Sequence, residues 1–185
     1  IRDIDTGNGK TEESITKDNG YQFIIRNISG DKCCTLITDK HFSMCKCALF
    51  GSHNMRSFGL NDALMLTFAF AGSRKNTLLI HASCVGHNGH AYPFIAKSGT
   101  GKSTHSSLWL KHIPDTELIN DDNPILRIDD NGIWLYGSPW SGKTPCYRNI
   151  KVALGAITKI ERSQTNSIQR LNPIMAFANM LPACS

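Results

Sequence analysis

The sequence predicts an α/β fold: a mixed β-sheet core with a small β-rich lead-in on its N-terminal side. Three observations predict it. Short runs rich in β-branched and aromatic residues recur along the chain, separated by Asn, Asp and Gly. Two stretches, residues 60–71 and 102–112, have the length and pattern of helices. A hydrophobic run over residues 91–96 leads through a glycine-containing loop straight into the second of them.

In chain order, residues 1–20 are polar and contain glycine, so they are expected to be frayed or loop. Tyr-Gln-Phe-Ile-Ile-Arg-Asn-Ile from Tyr21, a turn at Ser29-Gly30-Asp31-Lys32, and Cys-Cys-Thr-Leu-Ile-Thr from Cys33 read as antiparallel strands, with a third β-like run over 42–50. Residues 60–71 are apolar enough for a buried helix that starts at Gly59 or Asn61 and ends at Gly72-Ser73. Residues 78–85 form one β-run, and Asn88-Gly89 turns it back into the run at 91–96. After the helix at 102–112, Pro114-Asp115 breaks the chain and a short strand over 117–120 ends in Asp121-Asp122. Residues 125–128 and 133–136 flank Asp129-Asp130-Asn131-Gly132, a strong hairpin signal. Strands are expected at 152–160 and 167–171, and a helix from Pro173. The first residue is Ile rather than Met, and residues 176–185 read as a helix cut short, so a fragment is expected. The division expected is a β-rich segment at 1–58 and a second domain at 59–185, truncated at its C-terminus.

Composition narrows the classes. A chain of 185 residues is long enough to bury roughly 70% of its unfolded surface without staples. With 41% hydrophobic and 19% charged residues it has neither a disordered nor a fibrous profile. No apolar run approaches the ~20 residues that span a bilayer, so no membrane partner is expected. The net charge of +5 comes from scattered basic residues rather than a basic arm, so nucleic acid is not expected either. The seven cysteines are odd in number and irregularly spaced, which favours reduced thiols and a cytoplasmic setting. Cys33, Cys34, His41, Cys45, Cys47 and His53 fall close together and raise a structural zinc site as an alternative. Cys45-Lys46-Cys47 lacks the usual spacer, however, and adjacent Cys33 and Cys34 would face opposite ways on a strand. Free thiols buried on a β-hairpin are the simpler reading.

The chemistry-bearing stretch is Ala96-Lys97-Ser98-Gly99-Thr100-Gly101-Lys102-Ser103-Thr104, between a strand and a helix. It matches the phosphate-binding P-loop pattern except that Ala96 replaces the first glycine. Gly99 and Gly101 let successive N–H groups turn inward as an anion nest, and the helix N-terminus adds its own. Lys102 supplies a cation for the outer phosphates and Ser103 a hydroxyl for Mg²⁺. Asp121 and Asp122 supply adjacent carboxylates that point differently at a strand end. One suits the metal and the other an acceptor; the alternative is a solvated turn.

Together these residues carry a resemblance. Ile80-His81-Ala82-Ser83, then Phe94-Ile95 and the loop to Thr104, then Asp121-Asp122, are similar to the superfamily that joins HPr kinase/phosphorylase to ATP-dependent phosphoenolpyruvate carboxykinase. The similarity covers about residues 60–145. It implies a mixed-sheet P-loop core like the HPr kinase C-terminal or carboxykinase ATP-binding domain. By this resemblance, residues 97–104 hold the ATP phosphates, with Lys102 at the reacting end, and Ser103 and Asp121 serve Mg²⁺. Asp122 acts as general base or second-metal ligand beside His81. The chain departs from carboxykinases at Asn123-Pro124, where they carry Glu-His, and it lacks the downstream Arg-Gly signature of HPr kinase. In place of that signature stands Gly137-Ser138-Pro139-Trp140-Ser141-Gly142-Lys143. Ser138, Trp140, Ser141, Gly142, Lys143 and Arg148 are candidates there for contacting phosphate or acceptor; the alternative is a tight turn with Trp140 packed inward. His87, His90 and His105 carry no expected role. The implied activity is an ATP- and Mg²⁺-dependent phosphotransferase. Its partners would be a nucleotide and a hydroxyl-bearing protein, peptide or small molecule, and a homo-oligomer is allowed for. The alternatives are a non-catalytic nucleotide sensor or assembly module, and a carboxykinase-related enzyme.

Overall fold

The computed structural model describes residues 2–5, 9–142 and 144–184. The chain divides into two compact units, Ile1–Lys75 and Asn76–Ser185, and is mixed α/β as expected.

The first unit is an antiparallel sheet of β1 (Arg2–Asp5), β2 (Gly9–Ile15), β3 (Tyr21–Asn27), β4 (Lys32–Thr38) and β5 (Cys45–Leu49), paired in that order. Helix α1 (His53–Ser73) completes it. Opposite residues of a ladder share a face, so the pairs Phe23↔Leu36 and Ile25↔Cys34 put four apolar side chains on one side. With Phe42 and Ala63 they form the core, and Tyr21, Phe58, Leu66 and Phe70 pack against it.

Three expectations are corrected here. Residues 2–5 and 9–15 are strands rather than loop: β2 pairs with β3 along its whole length, from Gly9↔Asn27 to Ile15↔Tyr21. That polar strand turns Thr11 inward and anchors Glu12 to Arg26 Nε at 2.8 Å. Helix α1 begins seven residues before Leu60, because Ser52 caps it and Gly59 is an interior contact. A Cβ at Gly59 would stand 2.8 Å from the Cys33 carbonyl and from Cys34 Cβ, so glycine lets the helix lie on β4. The same packing draws the helix into the first unit, Ile1–Lys75. Finally, Cys33 and Cys34 are buried but Cys45 and Cys47 are exposed, since β5 is the last strand of the sheet. Burial and the neighbouring Cys47 push the Cys34 thiol up to about 12.

The second unit is a mixed sheet. Its strands are β6 (Thr77–Leu79), β7 (Ala82–His87), β8 (His90–Ile95), β9 (Thr116–Asp122), β10 (Ile125–Asp129), β11 (Gly132–Tyr136), β12 (Lys151–Leu154) and β13 (Thr158–Lys159). They run in the order β6-β10-β11-β12-β8-β7-β9, with β13 also on β8. Helix α2 (Lys102–His112) follows β8, and α3 (Pro173–Met180) leads into a 3₁₀ turn at Leu181–Ala183. Ile80, Ala82, Cys84, Ala91, Ile95, Ile119, Leu126 and Leu135 form its core, at about 1.5–3 kcal/mol for each fully buried large aliphatic side chain. No helix among the described residues is long and apolar enough to cross a membrane.

Here too the chain departs from the expected runs. The single strand expected at 78–85 is two, because Ile80 N–H donates to Pro124 O and His81 N–H to Ala183 O, outside the β7 ladders. The strand expected at 152–160 is interrupted. Ala91 and Ile95 accept from Gly155 and Ile160 on that side of β8, and Pro93 between them has no N–H to offer. Residues 167–171 form no strand.

Candidate functional site

The site is assembled at one edge of the second unit by three neighbouring strands. Strand β7 lies antiparallel between β8 and β9, so β8 and β9 run the same way. The register aligns Ile95, Ala82 and Asp122 in one row across the sheet. The end of β8, which opens into the 96–101 loop, therefore meets the end of β9, which carries Asp121 and Asp122. His81 precedes the first residue of β7 and stands at the same edge.

The loop has the conformation that its glycines allow. Gly99 and Gly101 have φ of 75° and 121°, in the left-handed region that disfavours side chains. Thr100 N–H turns back onto Lys97 O at 3.2 Å. Gly101 starts α2 without any side-chain cap, whereas Ser52 and Asn172 cap the other two helices. The first-turn N–H groups of α2, including those of Ser103 and Thr104, are left for another acceptor. Lys97, Ser98, Gly99, Ser103 and Thr104 are exposed, and Lys102 is only 9% exposed.

Lys102 Nζ donates to Ala96 O at 3.1 Å, so its side chain folds back under the loop. Burial lowers its proton affinity, while Asp122 and Asp121 oppose that and favour the ammonium. Burial, helped by Lys102, likewise lowers the His81 pKa, with Asp122 pulling the other way. The neutral imidazole is thereby favoured at neutral pH. His81 Nε2 is 3.4 Å from Asp122 Oδ1, a long contact for a hydrogen bond.

The two carboxylates part as neighbours on a strand do. Asp121, 5% exposed, pairs with Ser83, whose hydroxyl meets Ser106 of α2 at 2.7 Å, so Asp121 is on the α2 face. Asp122 is on the other face and accepts from Asn123 Nδ2 at 2.8 Å. On that side the loop after β11 closes over it. Ser141 bridges to Asp122, and Gly142 N–H donates to Asp121 O at 2.6 Å. A Cβ on Gly142 would be 2.7 Å from that oxygen and 3.3 Å from Asp122 Cβ.

Asn120, which no motif flags, is the residue that ties these parts together. It is fully buried. Its Nδ2 lies 3.2 Å from both Ser138 Oγ and Trp140 O, and 3.5 Å from Cys146 O; its Oδ1 accepts from the N–H groups of Asp122 and Asn123. One amide thus holds the 138–146 loop and the backbone under Asp122.

Several expected phosphate or acceptor contacts serve the fold instead. Ser138 is buried and donates to Trp140 O at 2.9 Å. Ser141 Oγ is engaged by Thr144 O and Cys146 N. Arg148 is at the wrong end of β9 for Asp122: its Nη1 binds Glu117 Oε2 at 2.8 Å and Leu118 O at 2.9 Å. Trp140 is half-buried, and Lys143 lies outside the described residues. His105 accepts from Trp109 Nε1 and meets the Phe94 ring, while His87 and His90 are at the far hairpin. Sequence reasoning also missed Arg162, which reaches the loop from beyond β13. Among the described residues, no three His, Cys, Asp or Glu side chains are grouped to hold a metal.

No family model, curated protein or solved structure matches the chain.

Proposed function

We propose that the chain is an ATP-dependent phosphotransferase that delivers the γ-phosphoryl group to a hydroxyl, by chemistry like that of the HPr kinase superfamily. The observation that carries this reading is the meeting of Lys102, Asp121, Asp122 and His81 at the ends of two strands running the same way, beside a glycine-rich loop. A loop with two glycines of positive φ, an uncapped helix and a buried lysine suit a polyphosphate. The Ser103 hydroxyl and Asp121 carboxylate, both oxygen donors, suit a hard cation held largely through substrate phosphates. Mg²⁺ bound there would neutralise charge on the transferring group.

The chain's own residues do the rest. The backbone of residues 97–104 holds the phosphates, and Lys102 offsets charge on the outermost one. Asp122 takes the proton of the acceptor hydroxyl as its oxygen bonds to the γ-phosphorus, and the bond from that phosphorus to the bridging oxygen breaks to release ADP. Neutral His81 adds no second positive charge beside Asp122, which keeps that carboxylate available as a base.

The test incubates the protein with γ-labelled ATP and Mg²⁺ against a panel of hydroxyl-bearing peptides and metabolites. Label should reach an acceptor, Lys102→Ala should abolish transfer, and Asp122→Asn should abolish it while ATP still binds. Full transfer by Asp122→Asn would remove Asp122 as the base. ATP binding without any transfer would favour a nucleotide sensor instead.

A further inference from the structure

We propose that Arg162 is a positioning residue of the phosphate loop, holding it in its anion-binding conformation from behind. The inference rests on the reading of residues 97–104 as a nucleotide site. Arg162 Nη2 donates to Gly99 O at 2.7 Å, and its Nε lies 3.4 Å from Thr100 O. These are the carbonyls between the two residues of positive φ. The first of these peptides is thereby held at both ends, its Thr100 N–H by Lys97 O and its Gly99 carbonyl by Arg162; the Thr100 carbonyl of the second points away from the Gly101 N–H that an anion would take. A guanidinium is the side chain best shaped to take two carbonyls at once, since its donors form a rigid planar fork.

The arm that carries Arg162 is itself anchored. Strand β13 runs parallel to β8, and Ile160 N–H donates to Ile95 O at 2.9 Å, one residue before the loop begins. Glu161, the nearest acid in sequence, pairs with Lys159, which also donates to Asn179 Oδ1 at 2.6 Å. That pairing leaves the Arg162 charge directed at the loop. Two effects follow for a polyphosphate. The loop is ordered before the ligand arrives, so less of the binding energy goes into ordering it. The guanidinium also adds positive potential behind the nest.

The test compares wild type with Arg162→Ala, Arg162→Gln and Arg162→Lys, using Mg²⁺·ATP as the probe. Calorimetry should show affinity reduced roughly 5–20-fold in Arg162→Ala, less than the loss of a charge-assisted hydrogen bond to the ligand itself, because Arg162 acts through the order of the loop. Arg162→Lys should recover part of the loss, and Arg162→Gln less. In the free protein, amide hydrogen exchange over residues 100–103 should quicken in Arg162→Ala while the β7–β9 amides keep their wild-type rates; saturating ATP should shrink the difference. A general loss of protection across both regions would reduce Arg162 to a stability role and overturn the proposal. So would wild-type affinity in Arg162→Ala. Lys102→Ala separates the two readings. If wild type binds, Lys102→Ala binds about 10–100-fold more weakly and Arg162→Ala binds like wild type, only the Arg162 proposal fails. If wild type itself does not bind, the nucleotide site fails and Arg162 with it.

Discussion

Replacing Asn120 by Asp changes one atom of a fully buried side chain and leaves its volume intact, so it isolates hydrogen bonding from packing. The amide has two hydrogens, and its two shortest contacts, Ser138 Oγ and Trp140 O at 3.2 Å each, are the ones it can satisfy best. In Asn120→Asp both acceptors face a carboxyl oxygen. The acceptor side of the residue, which takes the Asp122 and Asn123 N–H groups, is retained. With about 1–3 kcal/mol lost for each of the two buried groups left unsatisfied, the variant should lose about 2–6 kcal/mol at neutral pH. The loss should itself depend on pH. A carboxyl surrounded by oxygens is held protonated in the folded state, so its folded pKa lies above the unfolded one. The protonated form can donate once. Stability of the variant relative to wild type should therefore be highest below about pH 4, near the unfolded pKa of Asp, and fall as pH rises toward the folded pKa. Urea denaturation of both proteins at pH 4, 5.5 and 7.5 reads this directly. A variant that unfolds at the wild-type urea concentration at pH 7.5 would refute the role given to Asn120.

Other predictions concern the first unit. Burial raises the Asp62 carboxyl from its usual 3.8 to about 6. At about 1.4 kcal/mol per pH unit this corresponds to about 3 kcal/mol of stability that is present below about pH 4 and lost as pH rises through 6. Asp62→Asn should flatten that part of the urea profile and stabilise the protein above pH 6; an unchanged profile would contradict the assignment. Gly59→Ala should cost about 1–3 kcal/mol, because its Cβ meets the Cys33 backbone and overpacking outweighs alanine's preference for helices. A melting temperature at or above wild type would show that α1 can move off β4 freely.

The parts of the fold that local chemistry dictates were legible in the sequence. Asp129-Asp130-Asn131-Gly132 closes the β10–β11 hairpin, with Asp129 and Gly132 paired across it, and Asn88 and Gly89, both of positive φ, turn β7 into β8. The helix after the loop spans 102–112 as its pattern predicts. What was hidden depends on partners far along the chain. Strand β2 is polar and owes its existence to β3, so no periodicity announces it. The break at Ile80-His81 comes from Pro124 and Ala183, which no local signal names. At the site, the row of Ile95, Ala82 and Asp122 follows from strands whose ends the sequence does mark. Asn120, by contrast, reads as part of an Asn-Asp-Asp-Asn turn until its burial is known, and Arg162 as one more scattered cation. The hydroxyls of Ser138 and Ser141 invited a ligand role, but a tight loop of backbone acceptors claims such hydroxyls for itself.

We propose above that residues 97–104, Lys102 among them, form a nucleotide phosphate site. That proposal is tested most directly by titrating Mg²⁺·ATP into the wild type and Lys102→Ala in a calorimeter. One site per chain is expected in the wild type and a loss of about 10–100-fold in the variant, the effect of one charge-assisted hydrogen bond. Equal binding by both proteins, or none by the wild type, would contradict it.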